Sequence, residues 1–192
     1  EVDKPTPGPG EVLLKVAGAG ACHSDVAVYQ DYDESMGMTQ LEPSYILGHE
    51  TSGWIEELGE GVTGLAKGDA FLVYGPIGCG HCAPCSRGQD TYCENVADMP
   101  YMASGLGRDG GMAEYMTVPA RNLVPLGDAD PYAAAPLADA GLTPYHAIKL
   151  SLPKLAGGGK TALVIGLGGL GLVAVQILKA ITGATVIATD MK

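Results

Sequence analysis

The chain is short of positive charge. Its 192 residues hold 11 lysines and arginines against 22 aspartates and glutamates, a formal net charge of −11, and no basic cluster relieves that balance. Such a surface repels phosphate backbones and anionic headgroups, so nucleic acid and the membrane surface are excluded as expected partners. No charged-then-apolar leader follows Glu1, and the expected compartment is therefore the cytoplasm. Internal repeats and low-complexity tracts are also missing. Cysteine is scarce at five residues, and in a reducing compartment these are expected to bind metal rather than form disulfides. The chain does not open on methionine, and it stops two residues after Asp190 with only one β-α-β unit of the two halves that a doubly wound nucleotide domain needs. It is expected to be part of a longer protein. What is present, 46 % hydrophobic residues, suffices for one large core or two small ones.

The stretch around which the chain is organised runs from Thr161 to Asp190. The apolar, β-branched run Ala162 to Ile165 predicts a buried parallel strand, and Gly166, Gly168 and Gly171 follow in GxGxxG spacing. A helix begins inside that turn, with Val173, Ile177, Leu178 and Ile181 as its apolar stripe. Gly183 stops it, and Thr185 to Thr189 resumes a strand ending on Asp190. The first glycine permits the tight turn, the second lets backbone approach a pyrophosphate, and the third lets helix and strand pack closely, while the helix N-terminus supplies amide donors. A carboxylate at Asp190 accepts hydrogen bonds from ribose hydroxyls and repels a 2′-phosphate, which favours NAD over NADP. Thr161 to Leu178 carries no charge for 18 residues, the length at which a membrane span is considered. Four glycines within six positions, strand-like flanks and the closing carboxylate exclude that alternative.

Cys79, Cys82, Cys85 and Cys93 give the least ambiguous signal. Two residues separate each of the first three and seven precede the fourth. Four soft thiolates so close in one loop fit a closed, tetrahedral zinc site. Iron–sulfur clusters use similar spacings, but the bacterial run places its last cysteine three residues on with proline after it, and here Glu94 follows a longer gap. An iron–sulfur cluster and disulfides stay as the lesser alternatives. His81, inside the loop, is expected to be a bystander.

In chain order, Glu11 to Val16 predicts a strand and Gly18 to Ala21 a bend. A short helix from Ser24 to Tyr29 is expected, capped by Ser24 or Asp25. Residues 31–43 are acidic and aperiodic, an expected exposed loop that borders a substrate channel. Strands follow at Ser52 to Leu58 and Ala70 to Tyr74, then, beyond a glycine-rich loop over 96–111, at Met112 to Val118 and Leu123 to Val124. Repeated short strands with glycine turns predict a small β-barrel-like domain. Asp130-Pro131 starts a helix over Ala133 to Ala138, Asp139 to Ala147 leads into a second helix that runs towards Leu150, and Gly157 to Gly159 forms a hinge.

These residues together resemble the zinc-containing alcohol dehydrogenases of the medium-chain dehydrogenase/reductase superfamily, over essentially the whole chain. The resemblance rests on Cys22-x-Ser24-Asp25, on Gly48-His49-Glu50-x-x-Gly53 continuing to Gly59 and Val62, on Gly68-Asp69, on the four-cysteine lobe, and on Gly166-x-Gly168-x-x-Gly171 with Asp190. It implies a mixed fold, with a GroES-like β-barrel catalytic domain over 1–130 carrying a zinc lobe at 75–100. Connecting helices and the first β-α-β part of a Rossmann α/β domain would fill 131–192. It also implies two zinc ions and NAD as cofactors, a small alcohol or carbonyl as substrate, and a homodimeric or homotetrameric parent. The implied ligands of a catalytic zinc are Cys22, His49 and Asp139, and those of a structural zinc Cys79, Cys82, Cys85 and Cys93.

Aspartate at 139, where liver-type enzymes have cysteine, is similar to the bacterial secondary-alcohol dehydrogenases. Ser24 matches the hydroxyl that takes the alcohol proton, Asp25 the carboxylate orienting the ligating imidazole, and Glu50 a glutamate that approaches the metal. His23, Thr143, Gly166, Gly168, Gly169, Leu170, Gly171 and Asp190 match coenzyme contacts. Ala27 stands where liver-type enzymes carry a relay histidine. The alternatives are a polyol or aminoalcohol dehydrogenase, whose polyol members tend to carry glutamate as third ligand, and a zinc-stabilised GroES-like structural module without activity. A quinone-type reductase would dispense with the zinc ligands.

Overall fold

The computed structural model of the protein describes residues 2–30, 45–99 and 101–191. The expected channel-bordering loop lies outside them. The chain divides into two compact units, Glu1–Ala138 and Asp139–Lys192.

The first unit is built on strands β1 (Glu11–Gly20), β2 (Glu50–Leu58), β3 (Ala70–Val73), β6 (Tyr115–Pro119) and β7 (Leu123–Pro125), with the two-residue strands β4 (Ala103–Ser104) and β5 (Gly107–Arg108) paired apart from them. The five form one antiparallel sheet in the order β6-β1-β2-β3-β7. Alternating apolar residues put one face inward. Val12, Leu14, Ile55, Phe71, Val73, Met116 and Val118 are almost wholly buried and form a single cluster.

The bend expected at Gly18 to Ala21 is instead the far end of β1, which pairs with β2 up to Gly20 opposite Glu50. Register shifts between Val16 and Gly18 let the strand turn without ending, which is what a bulge does in an antiparallel pair. Gly18 and Gly20 serve close approach there. A Cβ on Gly20 would meet the Glu50 carboxylate at 2.0 Å, and one on Gly18 would press on Ala135 Cβ at 3.3 Å.

Helix α1 (His23–Gln30) starts one residue before the expected Ser24. Its cap also differs. Cys22 occupies the position before the first helical residue, and Asp25 reaches back to accept its N–H at 2.8 Å, the reciprocal half of a capping box. The strand expected from Met112 begins only at Tyr115, because Gly110, Gly111 and Met112 spend their N–H groups on the carbonyls of Ile46, Gly48 and Leu47.

Helix α2 (Pro131–Ala134) is capped by Asp130, whose side chain accepts the Tyr132 N–H at 3.0 Å, and a 3₁₀ turn continues it from Ala135 to Ala138. Three contacts pin this segment on the sheet. Ser52 Oγ donates to the Pro131 carbonyl at 2.5 Å, Trp54 meets Tyr132 edge-on with ring centroids 5.4 Å apart, and Ala135 lies on Gly18. Those contacts join 131–138 to the first unit, although the sequence pattern had suggested a boundary after 130.

One polar side chain closes the bottom of the sheet. Asn122, 1 % exposed in the 3₁₀ turn between β6 and β7, donates from Nδ2 to the Tyr74 carbonyl at 2.8 Å and to the Pro76 carbonyl at 2.7 Å. Asn122→Ala leaves both half-buried acceptors without that donor. It is expected to cost about 2–4 kcal/mol, counting about 1–2 kcal/mol for each acceptor left unmet. Urea unfolding measures this, and a loss below about 1 kcal/mol would mean that the contacts carry no stability.

In the second unit, α3 (Leu142–Leu155) runs past Leu150 and through Pro153. After the turn at Gly157 to Gly159 come β8 (Thr161–Ile165), α4 (Gly169–Ile181) and β9 (Thr185–Thr189), with β8 and β9 parallel and in register from Thr161 opposite Thr185 to Ile165 opposite Thr189. This is the expected start of a Rossmann-type α/β fold, but β8 is not the buried strand that its apolar run predicts: Leu163 is 58 % and Ile165 78 % exposed, because one helix against two strands covers only part of the sheet. No helix of the described residues is long and apolar enough to cross a membrane.

Candidate functional site

Three groups of expected site residues can be followed in the structure. The first lies at one end of the β1–β2 ladder. Pairing of Gly20 with Glu50 sets the residues that follow β1 beside those that precede β2, so Cys22 and His49 come from the same sheet end. Gly48, at φ +101°, turns the backbone into His49, and glycines pack against it because nothing larger fits. A Cβ on Gly105 would meet Gly48 backbone at 2.5 Å, and one on Gly110 would meet the Gly48 carbonyl at 2.3 Å. His49 and Asp25 are both buried, with His49 Nδ1 3.2 Å from Asp25 Oδ1. Asp25 thus has one oxygen on the Cys22 amide and the other facing the imidazole Nδ1. Ser24 is exposed, its Oγ 3.6 Å from Cys22 Sγ. Glu50 is 5 % exposed over Gly20, and His23 is exposed at the first position of α1.

The second group is the lobe after β3. The four sulfurs of Cys79, Cys82, Cys85 and Cys93 lie within 4.8 Å of one another, and the Cys79–Cys85 and Cys82–Cys93 pairs are each 4.0 Å apart. Tetrahedral zinc at Zn–S of about 2.3 Å needs sulfurs about 3.8 Å apart. The four thus fit the ion within a small contraction. Hydrogen bonds favour an anion at two of them: the Cys79 N–H points at Cys93 Sγ (3.4 Å), and Cys82 N–H (3.4 Å) and Asn95 Nδ2 (3.3 Å) point at Cys79 Sγ. Amide donors from His81, above all, and from Cys82, with Asn95, hold the Cys79 thiol down to about 5, while burial pushes Cys85 up to about 12. One anion is stable there alone; four require a dication. His81 turns Nδ1 to the Cys79 carbonyl at 2.8 Å, away from the sulfurs.

Sequence reasoning missed the residues that hold this lobe. Asp90, 6 % exposed, accepts the Gly78 N–H at 3.1 Å and pairs with Arg121, whose Nη2 also donates to the Cys85 carbonyl at 2.7 Å. An acid lying between two cysteine ligands was the only available signal, and nothing marked its partner 31 residues away.

The third group is the glycine turn. Gly166 takes φ +92° and donates its N–H to the Thr189 carbonyl at 2.8 Å, fixing the turn to the end of β9. Asp190 accepts the Leu167 N–H at 2.5 Å and so stands beside the turn. Gly168 precedes α4 and brings no capping side chain. The N–H groups of Gly169, Leu170 and Gly171 come before the first bond of the helix, from Leu172 to the Gly168 carbonyl at 3.0 Å. With Pro144 and Ala174, the turn lines an open cleft of ≈ 380 Å³. A helix N-terminus with bare glycine backbone fits an anionic pyrophosphate. Near the start of this unit, Thr143 Oγ1 donates to Asp139 Oδ1 at 2.6 Å and fixes that carboxylate.

Residues 8–128 match the family described as alcohol dehydrogenase GroES-like domain. The chain belongs to that family. Among known relatives, an NAD-dependent alcohol dehydrogenase of Saccharolobus solfataricus is 38 % identical over 198 aligned residues, which take in 100 % of this chain and 54 % of the relative. An L-threonine 3-dehydrogenase of Xanthomonas oryzae pv. oryzae is 35 % identical over 100 % of this chain and 53 % of its own length. The crystal structure of the alcohol dehydrogenase from Aeropyrum pernix superposes with a TM-score of 0.85 at 41 % identity, covering 100 % of this chain and 55 % of that one. The chain thus spans about half the length of the alcohol dehydrogenase relatives it matches. The antiparallel sheet is that family's GroES-like fold, and β8-α4-β9 is the Rossmann-type part that follows it.

Proposed function

We propose that the longer protein of which this chain forms about half is a zinc-dependent oxidoreductase that transfers hydride between a primary or secondary alcohol and NAD. The product is the corresponding aldehyde or ketone, and the reaction is reversible. The residues up to 138 act as catalytic domain with the lobe over 75–100, and 139–192 connect to and begin the coenzyme domain.

The observation that carries this is the Asp25–His49 pair beside Cys22. Holding Nδ1 at a buried carboxylate leaves Nε2 as the metal-binding nitrogen. Asp139 completes a ligand set of thiolate, imidazole and carboxylate, the donor types that zinc accepts. It follows directly on the segment 131–138, whose Pro131, Tyr132 and Ala135 contact Ser52, Trp54 and Gly18 of the sheet. When bound, zinc lowers the pKa of an alcohol as it does that of water and so favours the alkoxide near neutral pH. Ser24, at the surface, accepts the proton, and Glu50 stands close enough along the chain to assist. NAD carries the hydride chemistry, while Gly166 to Gly171 hold its pyrophosphate, Asp190 its ribose hydroxyls, and His23 and Thr143 add further contacts. A second zinc sits in the four-cysteine lobe. The compartment is the cytoplasm, where free thiols persist as ligands. The whole protein assembles as a homodimer or homotetramer.

An aminoalcohol substrate is the second reading, favoured by the likeness to a threonine dehydrogenase. Coenzyme reduction by the whole protein, measured on primary alcohols, secondary alcohols, polyols and threonine, separates the two. With NAD the rate is expected to exceed that with NADP at least ~100-fold, since Asp190 faces a 2′-phosphate with like charge. No reduction with any of these substrates would refute the enzyme. One zinc per chain instead of two would support a GroES-like structural module.

A further inference from the structure

We infer that Asp90 and Arg121 form a charged strut that positions the four-cysteine lobe for its metal, with Arg121 cancelling the charge that Asp90 would otherwise add beside the metal tetrathiolate. The inference rests on the lobe holding zinc. It concerns residues outside the ligand set, on elements that the ligand spacing does not indicate.

The need follows from charge. Four thiolates around a dication carry a net charge of roughly −2. The lobe itself, residues 76–99, makes this worse, with Asp90, Glu94 and Asp98 against the single basic residue Arg87. A compensating cation therefore has to come from elsewhere in the chain. Arg121 supplies it from the turn between β6 and β7, its guanidinium lying over Gly80 at ordinary contact distance, 3.9 Å from the position a Cβ would take. Its Nη1 pairs with Asp90, its Nη2 bonds Asp90 Oδ2 at 3.3 Å and the Cys85 carbonyl at 2.7 Å. A planar fork that grips a carboxylate and a backbone carbonyl at once is a task for arginine, not lysine.

Asp90 completes the strut from inside. It is buried between the second half of the lobe and its base, and its Oδ1 also accepts the Gly78 N–H, the residue just before the first ligand. Gly78 has no room for a side chain: a Cβ would meet Cys85 Sγ at 2.5 Å and Asp90 Oδ1 at 2.9 Å. One carboxylate thus ties the approach to Cys79, and one guanidinium ties the backbone of Cys85, to the same anchor. Asn122, next in the chain, grips Tyr74 and Pro76 where β3 leaves for the lobe. The turn Ala120–Asn122 is in this sense the lobe's base. The side-chain bonds of Asp90 and Arg121 run to each other and to the backbone of Gly78 and Cys85, so both act through the backbone and the field.

The test uses the full chain with Arg121→Ala, Arg121→Lys and Asp90→Asn. Zinc affinity of the lobe is read by competition with a chromophoric chelator, and its geometry by the thiolate-to-metal charge-transfer bands after cobalt substitution. Arg121→Ala and Asp90→Asn are expected to weaken zinc binding about 10- to 100-fold and to shift the cobalt bands. Arg121→Lys restores charge without the fork and is expected to fall between wild type and alanine. Urea unfolding of the main sheet, whose core contains no cysteine, is the control for general destabilisation. Zinc affinity within twofold of wild type for Arg121→Ala or Asp90→Asn overturns the inference, as does a loss of sheet stability with unchanged cobalt bands. A wild-type chain whose lobe takes up no zinc would refute the underlying zinc assignment itself, whereas normal uptake with indifferent variants refutes only the strut.

Discussion

Cys85→Ser is expected to lower the zinc content by one ion per chain and to unfold the lobe while the sheet stays folded. Cys85 is the most buried of the four thiols, at 1 % exposed, with Gly78 and Asp90 closed around it. Serine offers a hard oxygen in place of a soft thiolate, and the three remaining sulfurs no longer have a closed tetrahedron to complete. Structural zinc contributes about 10–16 kcal/mol of apparent binding free energy in small zinc domains. Losing one ligand is expected to weaken it at least ~1,000-fold, a loss of about 4 kcal/mol. Apart from the Asp90–Arg121 pair and the grip of Asn122 at its base, the lobe has little else to rely on. Its buried cluster consists of cysteines alone, separate from the apolar cluster of Val12, Leu14, Ile55, Phe71, Val73, Met116 and Val118. Hydrogen exchange should therefore rise across residues 77–99 and stay slow in β1, β2 and β6. Metal analysis and exchange mass spectrometry check both halves. Unchanged zinc content would refute the tetrathiolate site, and loss of protection throughout the sheet would refute the independence of the two clusters.

The legible parts of this molecule are those where a local pattern carries the physics. The cysteine spacing specified the lobe because ligands within one loop need no knowledge of the rest of the chain. The strand, glycine turn, helix and acid of 161–190 were likewise complete in sequence, and the register of β8 with β9 agrees. The course of β1 was not legible. Its Ala-Gly-Ala-Gly end looks like a bend, and only pairing with β2 makes it a strand that seats Glu50 over Gly20. The cap of α1 was half legible, since Asp25 was singled out as a cap, yet its bond runs backward to Cys22. Arg121 and Asn122 could not be found at all. Their partners lie 31 to 48 residues away, and a surface arginine beside an asparagine carries no signal of that reach. The glycines at 48, 105, 110 and 111 are a similar case, scattered in sequence and packed on one another or on Thr51 in space.

The glycine turn gives the sharpest contrast between motif and structure. Gly171→Ala is expected to disable it, and Gly169→Ala to leave its fold intact, although both alter the same six-residue motif. A Cβ on Gly171 would lie 1.9 Å from the Gly166 carbonyl oxygen and 2.9 Å from its carbon, so backbone has to move. Gly166 cannot yield cheaply. It holds φ +92° and bonds the Thr189 carbonyl, the residue before Asp190. Displacing it shifts the amides at the start of α4 and the Asp190 bond to Leu167 together. At Gly169, by contrast, an added Cβ meets nothing within 4 Å, and alanine in the first turn of α4 is a better helix former than glycine by about 1 kcal/mol. Gly171→Ala is therefore expected to cost about 1–3 kcal/mol in stability, as overpacking does. In the longer protein it should raise the NAD dissociation constant at least ~100-fold, close to 3 kcal/mol. Gly169→Ala should melt at or slightly above wild type. Thermal melts of both variants, with NADH fluorescence titrations of the whole protein, measure these effects. If Gly171→Ala binds coenzyme like wild type, the close packing of α4 on β8 is not what shapes the turn. If Gly169→Ala is as destabilised as Gly171→Ala, the open space at 169 is not there.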